Sequence, residues 1–242
     1  YAPGAELRRI LPPGTNLAGP YSPGIFAGEF LYVAGQGAED AQGKLPQDED
    51  GQIRQCLSNV KTVIDAAGLT MENVVYVQVY LTRYQDEAPL NRVWKEFFPK
   101  APPARSTIGV ASLAGTPVEM SAVAIRDVAR KKPIVPPGYP ASVPISPAVQ
   151  VGNRLYLSGF LGRDVNTGEI PEDPGAQVRL ALNRMEATLK AAGASVRKRV
   201  FVNPELTASV PLGVMKKIYA EHFEFGNTPW RATIQVAGLA IG

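Results

Sequence analysis

The chain contains two copies of one unit, and that repetition limits its fold more than any single motif does. Phe30-Leu-Tyr-Val-Ala-Gly35 stands opposite Arg154-Leu-Tyr-Leu-Ser-Gly159, and Tyr21-Ser-Pro23 opposite Ile145-Ser-Pro147, both at an offset of 124 residues. The run from Gln52 to Gly68 aligns with Gln177 to Gly193 at an offset of 125, and Arg105-Ser-Thr107 with Arg231-Ala-Thr233 at 126. Order and spacing hold over nearly the whole chain, as duplication requires. We read residues 1–129 as a first module and 140–242 as a second, more divergent and C-terminally incomplete. Between them we read 130–139, with its three prolines, as a stiff linker.

Within a copy the periodicities are distinct. Ile25 to Gln36 reads as a pair of short apolar strands broken at Gly28. Ile53, Leu57, Val60, Ile64 and Ala67 then recur every three or four residues, the one-sided stripe of an amphipathic helix closed by Gly68. Val178, Leu182, Met185, Leu189 and Ala192 repeat that stripe before Gly193. Val74 to Thr82 predicts a strand, Ala88 to Phe98 a second helix, and Arg105 to Leu113 and Val118 to Ile125 two further strands. The order β-β-α-β-α-β-β predicts an α+β module, a mixed β-sheet with two helices packed on one face. The other face needs cover, and a second copy of the module is the expected cover.

Composition removes several kinds of chemistry. One cysteine, Cys56, and one histidine, His222, exclude a disulfide framework and a zinc site built from His and Cys. Cys56 lies in the amphipathic helix and reads as a small buried residue. No apolar run approaches the roughly 18 residues of a membrane span. The 25 basic and 22 acidic residues are dispersed rather than gathered in a basic stripe, which argues against a nucleic-acid partner. The densest clusters, Arg130 to Lys132 and Arg197 to Arg199, read as solvated surface charge.

Arg105 follows Pro102, Pro103 and Ala104 at the start of an apolar strand. A permanent cation there suits either the carboxylate of a ligand or a structural acidic partner. Glu119 lies in the apolar strand Val118 to Ile125, where a carboxylate is costly unless paired or used. Tyr21 reads equally as a cleft-closing hydroxyl or an aromatic packed beside prolines, Thr107 as a hydroxyl donor or strand filler, Asn91 as an early helix residue, and Gly35 as a point of close approach or a bulge.

Six segments, Gly19-Pro-Tyr-Ser-Pro23, Val33-Ala-Gly-Gln36, Ala66-Ala-Gly-Leu69, Asn91 with Phe97-Phe98, Pro103-Ala-Arg-Ser-Thr107 and Val118-Glu-Met-Ser-Ala-Val-Ala124, together resemble the Rid (YjgF-like, L-PSP) family of imine and enamine deaminases. The resemblance implies two tandem chorismate-mutase-like modules, assembled as a homotrimer of two-module chains with pockets between neighbouring modules. It implies Arg105 as the carboxylate-binding residue, Glu119, Thr107 and Tyr21 as catalytic, and Gly35 and Asn91 as pocket residues. The substrate implied is a 2-imino or 2-enamino acid, the product a 2-keto acid, with no cofactor, no metal and no membrane partner. The second copy keeps Arg231 and Thr233 as a possible second site but has Ile145 in place of the tyrosine and Lys216 near the asparagine position. A cytoplasmic location is expected, the start at Tyr1 leaving room for a removed signal peptide.

Overall fold

The computed structural model describes residues 7–15, 19–84, 87–195, 201–223, 226 and 228–239; the basic run Arg197 to Arg199 lies outside the described residues. In the first copy the elements are β1 (Leu7–Ile10), β2 (Gly24–Ala27), β3 (Phe30–Gln36), α1 (Glu49–Ala66), β4 (Val74–Leu81), α2 (Ala88–Phe97), β5 (Ala104–Gly109) and β6 (Val118–Ile125). They form one mixed sheet in the order β1-β2-β3-β6-β4-β5, with β4 and β5 parallel and the other pairs antiparallel. This is the expected order with an edge strand, β1, added. Strand β5 is shorter than the sequence suggested, because residues 110–117 carry Gly115 at φ +87° and Pro117 and turn away from the sheet.

Alternation along the strands sorts the two faces. Val77, Val79 and Leu81 of β4 pack with Ile53, Leu57, Val60 and Ile64 of α1 and Val93 and Trp94 of α2 in the main core. Tyr76, Gln78 and Tyr80 point the other way and are only partly buried. Asp48 caps α1 by accepting the Gly51 N–H at 2.8 Å, and a two-bond Arg54–Glu96 pair ties α1 to α2. Cys56 is fully buried, as expected, and burial pushes its thiol up in pKa.

The second copy repeats the helical layer. Asp173 caps α3 (Pro174–Ala191) through the Ala176 N–H at 2.7 Å, and Arg179 binds Glu221 at the end of α4 (Leu212–His222) as Arg54 binds Glu96. Its strands are shorter. β7 (Lys131–Ile134), β8 (Ala148–Val151) and β9 (Arg154–Leu157) make a three-stranded sheet equivalent to β1-β2-β3. β10 (Phe201–Val202) and β11 (Glu205–Leu206), separated by Asn203 and Pro204, pair in parallel with β12 (Trp230–Arg231) and β13 (Ile234–Gln235). The register Val202↔Arg231 reproduces Val77↔Arg105. Among the described residues β7-β8-β9 and the β10–β12 and β11–β13 pairs stand as separate sheets, without a strand bridging them as β6 bridges β3 and β4 in the first copy. The short β14 (Gly238–Leu239) instead extends the first sheet along β5.

The segment read as a linker is part of the second module. Lys131-Lys-Pro-Ile-Val-Pro-Pro-Gly-Tyr139 lies 124 residues after Leu7-Arg-Arg-Ile-Leu-Pro-Pro-Gly-Thr15, and β7 pairs with β8 as β1 pairs with β2. The prolines stiffen a repeated turn rather than a spacer. In both copies the N–H of the residue after the glycine donates to the first proline carbonyl at 3.2 Å, with Gly14 at φ +75° and Gly138 at +78°.

The second copy covers part of the face that the helices leave open. Phe30, Val75, Ala104 and Ile125 form an apolar layer with Val149 and Val151, and the Tyr156 ring stacks on Tyr76 with centroids 6.2 Å apart. Glu205 enters the same boundary, where Tyr76 and Tyr80 both feel its charge, and burial raises its pKa to about 7. A carboxylate held protonated in the fold up to about pH 7, but titrating near 4.5 when unfolded, contributes stability below pH 4.5 that is lost as pH rises through 7. Melting temperature should therefore fall between those values, and Glu205→Gln should flatten that slope and raise Tm at pH 8 by about 2–4 °C, the effect of about 1 kcal/mol on a chain of this size. Thermal melts across that range check it; an unchanged slope in the variant would place the titration elsewhere.

Candidate functional site

Arg105 opens β5 on the face that carries the helices, in register with Val77. Its side chain is 4% exposed, and burial lowers its pKa. Nη2 donates to Asn91 Oδ1 at 2.8 Å and lies 3.7 Å from Glu87 Oε1, while the guanidinium sits 4.9 Å from the centre of the Trp94 ring. Nη1 is buried with no hydrogen-bond partner. The structural acid considered for Arg105 is thus present as Glu87, at a distance too long for a close bond, and one edge of the guanidinium remains unsatisfied. A buried donor in that state suits an incoming carboxylate. Asn91 proves to be a partner of the arginine rather than only an early helix residue.

Thr107 follows two residues later on the same face. Glu119 does not: it pairs with Tyr80 and shares the opposite face of the sheet. Its carboxylate lies over Gly35, where any Cβ would collide with it. Gly35 stands at the irregularity of β3, and the group that approaches it closely is the Glu119 carboxylate rather than a ligand. Tyr21 is 47% exposed on the segment before β2. The residues expected in one pocket thus fall into two sets, Arg105, Thr107 and Asn91 on one side of the module, and Glu119 and Gly35 on the other. The register of β4 with β5 and β6 decides this, and neither strand shows it alone.

What faces Arg105 comes from the second copy. Its N–H donates to Ser158 Oγ at 2.9 Å, Ser158 donates to the Ser146 carbonyl at 2.7 Å, and the Gly159 N–H donates to the Arg105 carbonyl at 3.0 Å. Gly159 is the counterpart of Gly35, and Ile145, the counterpart of Tyr21, packs against the first core. The arginine-bearing strand of the first copy therefore docks directly on the glycine-bearing strand end of the second.

The complementary halves remain on the outside of the pair. Arg231 stacks on Tyr219 at 4.8 Å, as Arg105 does on Trp94, and the Thr233 hydroxyl is buried without a hydrogen-bond partner. Lys216, at the asparagine position, is exposed. His222 pairs with Glu186 at 2.8 Å and takes no part in either cleft. Among the described residues no group of three His, Cys, Asp or Glu side chains is placed to hold a metal ion, and no helix is long and apolar enough to cross a membrane.

Gly35→Ala tests the Glu119 placement. A swing of the carboxylate can relieve the collision, so Tm should stay within about 2 °C of wild type, while the Glu119 carboxyl carbon resonance should move. An unmoved resonance would show that Glu119 does not rest over Gly35.

Comparison with known proteins gives a consistent picture. The family model described as Endoribonuclease L-PSP matches twice, over residues 14–126 and 138–242. A RutC family protein of Pyrococcus horikoshii is 38% identical over 112 residues, 45% of this chain and 89% of that protein. TdcF of Escherichia coli, whose name assigns it provisionally as a reactive intermediate deaminase, is 35% identical over 113 residues, 45% of this chain and 88% of that protein. The crystal structure of E. coli TdcF with bound serine aligns at 32% identity and a TM-score of 0.47, covering 50% of this chain and 100% of that one.

Proposed function

The chain belongs to the endoribonuclease L-PSP family in both of its halves, and from that membership we propose that it hydrolyses reactive 2-imino or 2-enamino acids to 2-keto acids and ammonia. The observation that carries the reading is the buried Arg105 guanidinium with one unsatisfied nitrogen, on a strand whose backbone docks on Ser158 and Gly159 of the second copy. By the repeat, Gly35 and Glu119 expect the same partner. Within this chain the unused arginine is Arg231, on the far side of the pair, so a second copy of the chain supplies it. Such head-to-tail contacts propagate from chain to chain and close as a ring; the assembly we propose is a homotrimer of two-module chains.

The chemistry is modest. The imino acid carries a carboxylate, which Arg231 grips, and a protonated C=N carbon already electrophilic. Water adds to that carbon as Glu119 takes one of its protons and passes it to nitrogen; the remaining hydroxyl proton then goes to Glu119 as the C=O forms, the C–N bond breaks and ammonia leaves. An enamine enters the same route once protonated at carbon. Thr233 and Tyr21 supply hydroxyls at the edge of this cleft. No step requires a cofactor.

Ammonia release from freshly generated 2-iminopropanoate tests the proposal. Wild type should accelerate it, and Glu119→Gln and Arg231→Ala should each lower kcat/KM by about 100-fold or more. Because the two residues come from different chains, co-refolding the inactive variants should restore activity that neither has alone. No acceleration by a folded oligomer would overturn the deaminase, and failure of the mixture to recover would overturn the shared cleft. Light scattering should give a mass near three times 25.9 kDa.

A further inference from the structure

The second module leaves uncovered a face that the first module has buried. Tyr76 and Ala104, neighbours across β4 and β5, belong to the apolar boundary with Val149, Val151 and the stacked Tyr156 ring of the second copy. Their counterparts are Phe201 and Trp230, neighbours across β10 and β12. Those two rings stack with centroids 4.5 Å apart, yet Trp230 is 70% exposed and Phe201 44%. Adjoining aromatic rings left in water mark an interaction surface, whereas an isolated exposed ring would not. The side chains that would cover them stand at the other end of the chain. Ile25 and Tyr32, counterparts of Val149 and Tyr156, alternate with the core residues Phe26, Leu31 and Val33 and are exposed.

The strand edges carry a second, independent sign. β14 adds to the first sheet through Gly238↔Gly109 and Leu239↔Ile108. Tyr84 seals this addition: its hydroxyl donates to the Ala237 carbonyl at 2.8 Å, and its ring stands where a Cβ on either glycine would lie. In the second module the equivalent edge is β13, which pairs only with β11 among the described residues. The equivalent of β14 is Ser112-Leu113, in the segment that turns away from the first sheet. Here Ser209 replaces Tyr84, Gln235 replaces Gly109 and Ser112 replaces Gly238. The ring and the two glycines that make room for it are absent together, although Ser112 lies in the first copy and the other two in the second. A contact between Ser112 of one chain and Gln235 of another accounts for that matching, and both residues are exposed.

We propose that the Trp230–Phe201 face and the β13 edge form one seat for a second copy of this chain. The Ile25 and Tyr32 side chains of that copy cover the aromatic stack, and its Ser112 and Leu113 add as a strand beside Gln235 and Ile234. The seat rests on the head-to-tail reading above and supplies the surfaces that meet in it.

Cysteine pairing tests the register. Cys56, the one native cysteine, is fully buried and does not compete. If Ser112 and Gln235 oppose each other as Gly238 and Gly109 do, cysteines at these positions lie within disulfide range. Mixed Ser112→Cys and Gln235→Cys chains should give, on mild oxidation, a linked dimer that neither variant forms alone. Trp230→Ser should keep the wild-type circular dichroism spectrum but weaken self-association about 30-fold or more, the loss of an aromatic anchor, in light scattering on dilution. Wild-type tryptophan emission should shift to the red on dilution, since Trp94 is buried within its module and Trp230 alone changes surroundings. A trimer that Trp230→Ser does not weaken, or that gives no mixed cross-link, would overturn this seat and leave head-to-tail assembly to other surfaces. Ready cross-linking of Trp230→Cys to itself would show two aromatic faces meeting each other and overturn it as well. A wild-type chain that stays monomeric would remove the trimer and this seat together, while ammonia release still decides the deaminase.

Discussion

Burying the Arg105 guanidinium is costly, and much of its surroundings follows from it. A fully buried cation needs compensation. Here Asn91, the Trp94 face and a distant Glu87 supply part of it. That places demands on three elements at once: β5 must present the arginine, α2 must bring both Asn91 and the aromatic ring, and the turn before α2 must carry Glu87. The parallel register of β4 with β5 and the two-bond Arg54–Glu96 clamp between helices fix those elements relative to one another. The same construction reappears around Arg231, with Tyr219 in place of Trp94 and Arg179–Glu221 in place of the clamp. The asparagine does not recur, so the second arginine is less fully compensated from within its own module.

The docking of the two copies depends on the backbone of that arginine. Ser158 accepts its N–H and Gly159 donates to its carbonyl, so the residue whose side chain carries the unsatisfied guanidinium nitrogen is also the backbone point on which the second copy docks. Replacing Ala34 of the first copy by Ser158 in the second adds this side-chain bridge. A ligand held on the guanidinium would therefore sit directly over the joint, and changes in the joint would be felt at the ligand without any relay through the core.

Much of the architecture was legible from sequence because its periods are unambiguous. The helical stripe from Ile53 to Ala67 and the alternation of Val74 to Leu81 each admit one reading, and the repeat supplied an independent check on both. The site was legible only in part. Arg105 and Glu119 each stood out as charges in apolar strands, but whether they share a face depends on how β5 and β6 register on β4. A one-residue change in either register would have put them together. The opening of the second module was missed for another reason: prolines in a row suggest a spacer, and the match of Pro12-Pro-Gly14 to Pro136-Pro-Gly138 outweighs that suggestion only when the repeat is carried through the junction.

A cleft made from opposite sides of two modules changes what duplication can do. In an assembly of identical single modules every cleft has the same composition, and replacing the tyrosine at one position removes it everywhere. Once two copies are joined, the arginine side of one copy meets the glycine side of the other, and each side can vary alone. The second copy shows such variation on both of its sides: Ile145 for Tyr21, Ser158 for Ala34 and Arg184 for Asn59 on the glycine side, Lys216 for Asn91 and Tyr219 for Trp94 on the arginine side. The first copy could therefore keep its complete motif set while the second adapted to bury Ile145 against it, because the chain had divided between two clefts what a single module must place in one.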